Sequence, residues 1–283
     1  MRYDLLLLTN KKLNIVNNVK SISDLKACSW DKLLLIRDGL VNNNNNFIYD
    51  TLLQEKKNEY SDIECKIIKD WQENIPQKYF IVKHLKNYSL FLEEKTEPRL
   101  YGVVGISEPI STVIDHIAVK LPVLVRALLL PFNKKIIYDG VLEPYDISFS
   151  SDLRHSIKMD YIKIKSSYGI ITSFTKVPNK KQDDSTRLIE LLKTSYSRKE
   201  FSNEITELRN KSPKLEELYN QEMGKINAKA IKTQLKKLEI TKGWFGILES
   251  LIIASGGSKD QVEQIVKQFV PLERQKHVYY FKM

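Results

Sequence analysis

The sequence is poor in the residues that build disulfide frameworks and metal sites. Among 283 residues there are only two cysteines, Cys28 and Cys65, and four histidines. The histidines stand at positions 84, 116, 155 and 277, so no CxxC or HxxxH spacing occurs. Two isolated cysteines cannot form a disulfide framework, and zinc modules need closely spaced pairs of ligands. We therefore expect neither a metal nor another cofactor.

Glycine is also scarce, and its few pairs lack the spacing of a phosphate-binding loop. The ten glycines include Gly102 with Gly105 and Gly256 with Gly257. Neither pair fits GxxxxGK[ST] or GxGxxG, the patterns that place several backbone N–H groups around a phosphate. The nucleophile elbow GxSxG is missing as well. Neither a nucleotide-binding loop nor the serine-hydrolase nucleophile is indicated.

Long apolar runs are missing too. The most apolar stretch, 113–132, is interrupted by Asp115, His116, Lys120, Pro122 and Arg126. A membrane helix needs about 20 predominantly apolar residues, so this stretch falls short. The four leucines of Leu5–Leu8 are too few for the apolar region of a signal peptide. We expect no membrane span and a cytoplasmic protein.

The chain does contain the material of a globular protein, with 42% hydrophobic and 28% charged residues. Its middle has aromatic and β-branched runs separated by turn residues, at about 79–85, 88–93, 100–106, 123–130, 135–141 and 145–149. This pattern predicts a mostly antiparallel sheet of five or six strands. Before it, helical spacing predicts a helix over 48–74. The runs Leu5–Leu8 and Leu33–Ile36 fit either buried strands or helices.

The last part of the chain reads as helical. Apolar residues recur every three or four positions over about 153–168, followed by Gly169, a typical residue after a helix end. Further helices are predicted at about 184–210, 213–239, 243–254 and 258–270, the last with the capping box Ser258 and Gln261. The fold class is therefore α+β, with an α+β domain over 1–180 and a helical region over 181–283. The pattern leaves open whether the helical region is independent, because helices often pack back on a sheet.

The run Val123–Leu130 is apolar except for Arg126. A continuous apolar run of this length is typical of a central strand that is buried on both faces. Because a buried charge needs a partner, we expect Arg126 either to pair with an acid or to reach an edge.

The charge balance is basic, with 45 Lys+Arg against 35 Asp+Glu and a net charge of +10. A basic protein favours polyanions such as nucleic acid. Counting gives 36 lysines and only 9 arginines, beside a run of asparagines at 42–46. An AT-rich genome would give this Lys and Asn surplus without selection, whereas specific phosphate or base recognition relies on arginine.

The excess charge is greatest in the last third, with +3 in 1–90, +2 in 91–180 and +5 in 181–283. Lys225, Lys229, Lys232 and Lys236 are four, three and four apart, which predicts one stripe on a helix. A second group of candidate binding residues comprises Lys163, Lys165, Lys180 and Lys181. Such stripes suit the phosphate backbone without sequence readout. The alternative is a solvated face that keeps the helix soluble.

A separate group of polar residues could carry chemistry: Asp139, Glu143, Asp146, Asp152 and His155. Carboxylates near a histidine can bind a divalent metal or exchange a proton. The same residues also fit turns and a helix N-terminus. We therefore predict that they do not converge on one site.

The segment Leu251–Phe269 partly resembles a helix-turn-helix, with Gly256 at the turn and Val262 and Ile265 at the packing positions. However, Ile252 stands where that motif prefers a small residue, and Lys259 and Lys267 are balanced by two acids. A plain helical hairpin is the preferred interpretation.

Together these patterns favour an intracellular binding protein that contacts nucleic acid or an acidic protein through basic C-terminal helices, without sequence specificity. One alternative is a metal-assisted hydrolase or nuclease that uses the acidic group around 139–155. The other is a structural subunit with no ligand. Whether the protein is an enzyme stays open, and the residue pattern leans against it.

Overall fold

The structure, a computed structural model, describes residues 1–41, 46–72, 76–116, 120–174 and 181–283, without the side chains of 115 and 116. The chain forms two compact units, Met1–Lys180 and Lys181–Met283. Helices and a large sheet make up the first unit, and helices with a small sheet make up the second. The α+β fold class predicted from the sequence is confirmed.

The first unit begins with five helices. They are α1 (Arg2–Leu13), α2 (Ile22–Ala27), α3 (Trp30–Val41), α4 (Phe47–Glu55) and α5 (Asp62–Trp71). The two apolar runs that fitted either a strand or a helix are therefore helical. The single helix predicted over 48–74 is wrong, because a capping box starts a new helix: Ser61 accepts from the backbone N–H of Glu64, and the Glu64 carboxylate accepts from that of Ser61.

Seven strands follow: β1 (Gln77–His84), β2 (Ser89–Glu93), β3 (Leu100–Val104), β4 (Val123–Ala127), β5 (Leu129–Phe132), β6 (Lys135–Tyr138) and β7 (Glu143–Pro144). They form one sheet in the order β5-β6-β3-β2-β1-β4-β7. All neighbours are antiparallel except β3 and β6, which confirms a mostly antiparallel sheet. Two helices, α6 (Ile110–His116) and α7 (Ser151–Tyr168), complete the described part of this unit.

The sheet is strongly curled. Strand β5 lies at one edge and β4 next to the other edge, yet only Leu128 separates the two strands along the chain. The two ends of the sheet must therefore come close together. Successive side chains along each strand point to opposite faces of the sheet. Phe91 packs in a core on one face with Ile110 and Ile114 of α6, whereas Leu90 and Leu92 on the other face pack against α7.

A second apolar layer joins the N-terminal helices to the strands. Leu5 and Leu8 of α1, Ile48 of α4 and Ile68 of α5 pack in one cluster. The strand side of this cluster consists of Leu128, Leu130 and Ile137. The N-terminal helices therefore cover the β5 and β6 region of the sheet.

The run Val123–Leu130 is partly as predicted. Leu128 and Leu129 are buried, and Arg126 pairs with Asp38 and Glu143, as expected. The single central strand is wrong, because the run divides at Leu128 into β4, which pairs with β1 and β7, and β5, which pairs with β6 at a sheet edge.

The second unit begins with four helices. They are α8 (Asp184–Leu192), α9 (Ser195–Glu200), α10 (Ser202–Asn210) and α11 (Pro213–Lys237). The helix predicted over 184–210 is interrupted because Thr194 caps a new helix by accepting from the backbone N–H of Ser197. The helix predicted over 213–239 is confirmed, and it starts with Ser212 as its cap and Pro213 in its first turn.

The helix predicted over 243–254 is wrong. This segment forms a hairpin of β8 (Trp244–Leu248) and β9 (Leu251–Gly256). Next come α12 (Lys259–Phe269), α13 (Leu272–Gln275) and β10 (Tyr279–Lys282). The three strands form an antiparallel sheet in the order β10-β8-β9. Phe245 and Ile247 pack toward α11 on one face, and Ala254 packs against Val262 and Val266 of α12 on the other.

Candidate functional site

The lysine stripe predicted from spacing lies on helix α11. The helix buries Gly224, Ala228, Ile231 and Leu235. Each of the four lysines follows one of these residues by one position, about 100° further round the helix. Lys225, Lys229 and Lys236 are exposed, and Lys232 is half-buried. The stripe therefore runs beside the buried face, and no Asp or Glu occurs from Lys225 to Lys237.

Two of the four ammonium groups have partners inside the unit. The Lys225 Nζ lies 2.5 Å from the Glu222 carboxylate, and this hydrogen bond raises the pKa of Lys225. The Lys232 Nζ stands 5.4 Å from the centre of the Phe281 ring, within cation–π distance. The contact with Phe281 places the Lys232 ammonium group beside β10, whereas Lys225 is held by a residue of its own helix.

A small groove of about 200 Å³ opens next to the first two lysines of the stripe. Its lining comprises Ile189, Leu192 and Lys193 of the α8 side and Glu222, Lys225, Ile226 and Lys229 of α11. The lining thus contains three lysines, one carboxylate and three apolar side chains. Lys193 forms an ion pair with Glu190, outside the groove lining. The groove thus extends the positive face beyond α11.

The second group of predicted lysines lies elsewhere. Lys163 and Lys165 stand near the end of α7 in the first unit, Lys163 exposed and Lys165 half-buried. Lys163 lines a cleft of about 410 Å³ together with Arg99, Asp160 and Tyr168. Lys181 is exposed, and Lys180 lies outside the described residues. Because Lys163 and Lys165 are two positions apart, they point to different sides of the helix.

The predicted acidic group is spread over different environments. Asp146, Asp152 and His155 are exposed, the last two in the first turns of α7. Asp139 is buried, and its Oδ1 accepts a hydrogen bond from the Val141 backbone N–H at 3.2 Å. Within the described ranges, no three His, Cys, Asp or Glu side chains could hold a metal ion together.

Glu143 belongs to a network of ion pairs that the sequence did not predict as a whole. The Glu143 Oε2 lies 2.9 Å from Arg126 Nη1 and 3.3 Å from Arg37 Nη2. Asp38 bridges the same two arginines, at 2.9 Å from Arg126 and 3.0 Å from Arg37. These contacts join α3 to strands β4 and β7. The signal in the sequence was the charged pair Arg37-Asp38 directly after the apolar run of α3.

A cleft of about 270 Å³ with a mixed polar and apolar lining lies at the end of the β1–β2 hairpin, between residues 85–89 and 103–111. Next to it, His84 Nδ1 and Ser89 Oγ are 2.7 Å apart. Ser89 is buried. Its hydroxyl group forms a hydrogen bond with His84 inside the hairpin. This contact stabilises the ends of β1 and β2.

The structure contradicts the helix-turn-helix resemblance of Leu251–Phe269. Its would-be first helix is strand β9, and Gly256 ends that strand. Its second half is α12, capped by Ser258 and Gln261 as predicted. The hairpin of two helices preferred from the sequence is therefore wrong as well, because an apolar run of this length fits a strand as well as a helix.

No protein-family model, curated protein or solved structure matched the chain in the comparisons. In the described part of the chain, no helix has the length and apolar character needed to cross a membrane.

Proposed function

We propose that this is a binding protein that contacts polyanions through the lysine stripe of α11, and that the phosphate backbone of nucleic acid is its ligand. The observation that carries the proposal is the run Lys225–Lys237, with five lysines and no acid, on a helix whose adjacent face is packed in a core. The helix segment that carries the stripe therefore contributes no carboxylate of its own.

The spacing of the stripe suits a regular array of negative charges. With a rise of about 1.5 Å per residue, the four lysines stand about 5 to 6 Å apart along the helix and span about 16 Å. Consecutive phosphates form such an array, whereas the acids on a protein surface are irregularly placed. The stripe has no arginine and no exposed aromatic ring, so it has no means of reading bases. Binding without sequence preference is the expected mode.

The two internal partners lower the expected number of phosphate contacts. Lys229 and Lys236 can each contact a phosphate directly. Lys225 must first leave Glu222, which costs little because exposed ion pairs contribute at most about 1 kcal/mol. Two to four neutralised phosphates correspond to a log–log salt slope of about −2 to −4 on duplex DNA, and to a smaller slope on single strands.

A salt titration tests the proposal. A fluorescently labelled generic duplex is titrated with the full-length protein at several salt concentrations, followed by anisotropy. The variant carries glutamine at Lys225, Lys229, Lys232 and Lys236, since glutamine has a helix propensity close to that of lysine. We expect it to lose most of the affinity and of the salt slope.

The control variant removes the same charge from another surface. It carries glutamine at the exposed residues Lys11, Lys57, Lys66 and Lys69 of the first unit. We expect its affinity to stay close to that of the wild type. An equal loss in both variants would assign binding to net charge alone. No binding by the wild type at about 50 mM salt would end the nucleic-acid proposal, because the counterion effect is largest there.

An acidic protein partner is the other source of the same chemistry. A competition experiment distinguishes an acidic protein from nucleic acid as the ligand. Polyglutamate and unlabelled DNA of equal charge are compared for their ability to displace the labelled duplex. The setting that we propose is the cytoplasm, which suits the two cysteines, both of them free thiols.

A further inference from the structure

A serine and a histidine of the first unit face each other across a pair of strands. In the pairing of β1 with β2, His84 stands directly opposite Ser89. Residues at directly opposite positions of an antiparallel pair carry their side chains on the same face of the sheet. The Ser89 Oγ and His84 Nδ1 atoms are 2.7 Å apart, which is the distance expected between a nucleophile and its general base.

The face that carries this pair is the one that α6 covers. Ser89 is paired with Val103 on its other side. Val103 packs in the core with Ile110 and Ile114 of α6. Ser89 is 4% exposed, and it lines the cleft of about 270 Å³ at the end of the hairpin. The serine is therefore shielded from bulk solvent but borders a space that a small molecule can enter.

We propose that Ser89 and His84 act as nucleophile and general base in the hydrolysis of small, uncharged acyl esters. For the serine O–H to donate to Nδ1, the neutral imidazole carries its own proton on Nε2. The sequence has no GxSxG motif, but such pairs are defined by geometry and recur on unrelated folds. Here the strand pairing brings together two residues that are five positions apart.

The reaction has two steps that use the same two groups. In the first, Ser89 Oγ forms a bond to the acyl carbon while its proton passes to His84 Nδ1. The bond from the acyl carbon to the leaving alcohol breaks, and the alcohol oxygen takes the proton from the imidazolium. In the second, water attacks the acyl-serine and gives a proton to Nδ1. The serine oxygen leaves with that proton, and the carboxylic acid is released.

The lining of the cleft indicates the class of substrate. Among the described residues that line it are one lysine, Lys86, and one acid, Glu108, whose charges balance. Its apolar part includes Val104, Ile106 and Pro109. The volume lies just below the range of about 300 to 1,000 Å³ that is usual for ligand pockets. A short, neutral acyl group suits this space better than a long chain or a charged molecule.

The same lining contains hydrogen-bond donors for the oxygen that becomes negative during the reaction. Asn87 has a side-chain amide, and Ser107 and Ser111 have hydroxyl groups. Donors that stabilise such an oxygen often contribute the largest share of catalysis. The cleft therefore combines a serine and its base with side chains that can stabilise the tetrahedral intermediate.

Covalent labelling of the full-length protein tests the pair. A fluorophosphonate probe forms a bond between its phosphorus and a serine oxygen that a base has activated, and fluoride leaves. The wild type is incubated with the probe, and mass spectrometry of its peptides locates the adduct. We expect the adduct on Ser89, and we expect none when the protein is first unfolded in urea.

Two variants test the separate roles. His84→Gln should slow the labelling of Ser89 at least about a hundredfold, the usual contribution of a general base. Ser89→Ala should lose the part of p-nitrophenyl acetate hydrolysis that saturates with substrate. Ser197→Ala is the matched control, because Ser197 is also buried and its Oγ lies 2.7 Å from Thr194 Oγ1, which is not a base. We expect this control to hydrolyse the ester like the wild type.

The wild type decides first, without any variant. Absence of an adduct, or an adduct on another residue, overturns the proposal. Undiminished labelling of His84→Gln also overturns it, because the contact would then only hold the hairpin together. Circular dichroism and urea unfolding verify that each variant is folded. The glutamine variant of the lysine stripe should keep the saturable hydrolysis, so this activity and nucleic-acid binding can fail independently.

Discussion

Asp139 is a carboxylate in an environment that disfavours its charge. It lies just after β6 and is buried. Its backbone N–H donates a hydrogen bond to the Leu128 carbonyl. Burial raises the pKa of Asp139 to about 6, although the guanidinium groups of Arg37 and Arg2 act in the opposite direction. A buried acid with a raised pKa can mark a catalytic group, but here its oxygen is used to hold the Val141 N–H.

This raised pKa predicts a pH-dependent change in stability. The contribution of Asp139 to stability is fully present below its unfolded pKa of about 4 and is lost as pH rises through the folded pKa of about 6. At pH 7 the ionised group therefore costs up to about 3 kcal/mol. Asp139→Asn keeps an oxygen for the Val141 N–H and removes the charge. We expect this variant to gain about 2 kcal/mol over the wild type between pH 4 and pH 7, measured by urea unfolding.

The control for this measurement is Asp146→Asn, which removes an exposed acid of the same part of the chain. Its difference from the wild type should stay within about 0.5 kcal/mol over the same pH interval. Parallel pH profiles of Asp139→Asn and the wild type would show that Asp139 ionises normally in the folded protein.

Arg37 is the most deeply buried member of the ion-pair network. Its side chain is 1% exposed and contacts Asp38, Glu143 and the Val141 carbonyl. Arg37→Met should lower the free energy of unfolding by about 3 kcal/mol, the low end for a broken buried pair, because both acids keep Arg126. Lys12→Met is the control, since it breaks an exposed pair with Glu55 and should cost under about 1 kcal/mol. Equal effects in urea unfolding would contradict a stabilising role of the network.

Among the secondary-structure elements, the contact of α11 with β10 depends on one glycine. A Cβ atom on Gly224 would lie 2.3 Å from the Tyr279 Cβ, a distance that no rotation of the tyrosine can relieve. Gly224→Ala gains about 1 kcal/mol of helix propensity but overpacks the contact by about 3 kcal/mol. We expect a net loss of about 2 kcal/mol and faster hydrogen exchange in β10.

Gly257→Ala is the matched control for that experiment. Its added Cβ atom would lie 3.5 Å from the nearest atom, Gln261 Oε1, which is an ordinary contact. We expect a change within about 0.5 kcal/mol. A Gly224→Ala protein as stable as this control would mean that α11 can move away from β10 without cost.

The elements that could be predicted from the sequence are those with a local signal. The capping box Ser258 and Gln261, the glycine after α7 and the turn residues between β1, β2 and β3 each mark a boundary that depends only on neighbouring residues. The box at Ser61 and Glu64 gave the same kind of signal, and reading it would have divided the helix predicted over 48–74.

The elements that were wrong depend on contacts far away in the chain. The apolar run from Trp244 to Ala254 fits a helix or a strand, and its turn at Glu249 has a positive φ of 58° without the usual glycine or asparagine. Strand β5 is distinct from β4 because Leu128 separates residues that pair with β1 from residues that pair with β6, and the continuous apolar run 123–130 has no local sign of that division. The lysine stripe could be predicted because spacing fixes a helix face, whereas the partners Glu222 and Phe281 of two lysines could be found only in three dimensions.

At the scale of the whole molecule, six apolar clusters of described residues each belong to one of the two units. The clusters around Phe91, Leu52, Leu25 and Leu90 consist of residues of Met1–Lys180. The clusters around Ile247 and Val262 consist of residues of Lys181–Met283. The second unit also contains the lysine stripe of α11, whereas Ser89 and His84 belong to the first unit, so the two proposed sites lie on different compact bodies.

This division predicts that residues 181–283 fold without the rest of the chain. Its core packs α11 and α12 on opposite faces of a three-stranded sheet, an arrangement that buries apolar side chains on both sides. Expressed alone, the segment should melt cooperatively and protect the amides of β8 and β10 from exchange as in the full-length protein. It should also retain DNA binding with the same salt slope, because Glu222 and Phe281, the partners of Lys225 and Lys232, both lie in the second unit. A segment with helical circular dichroism but no cooperative transition would show that its core needs the first unit, and the two units would then be layers of one domain.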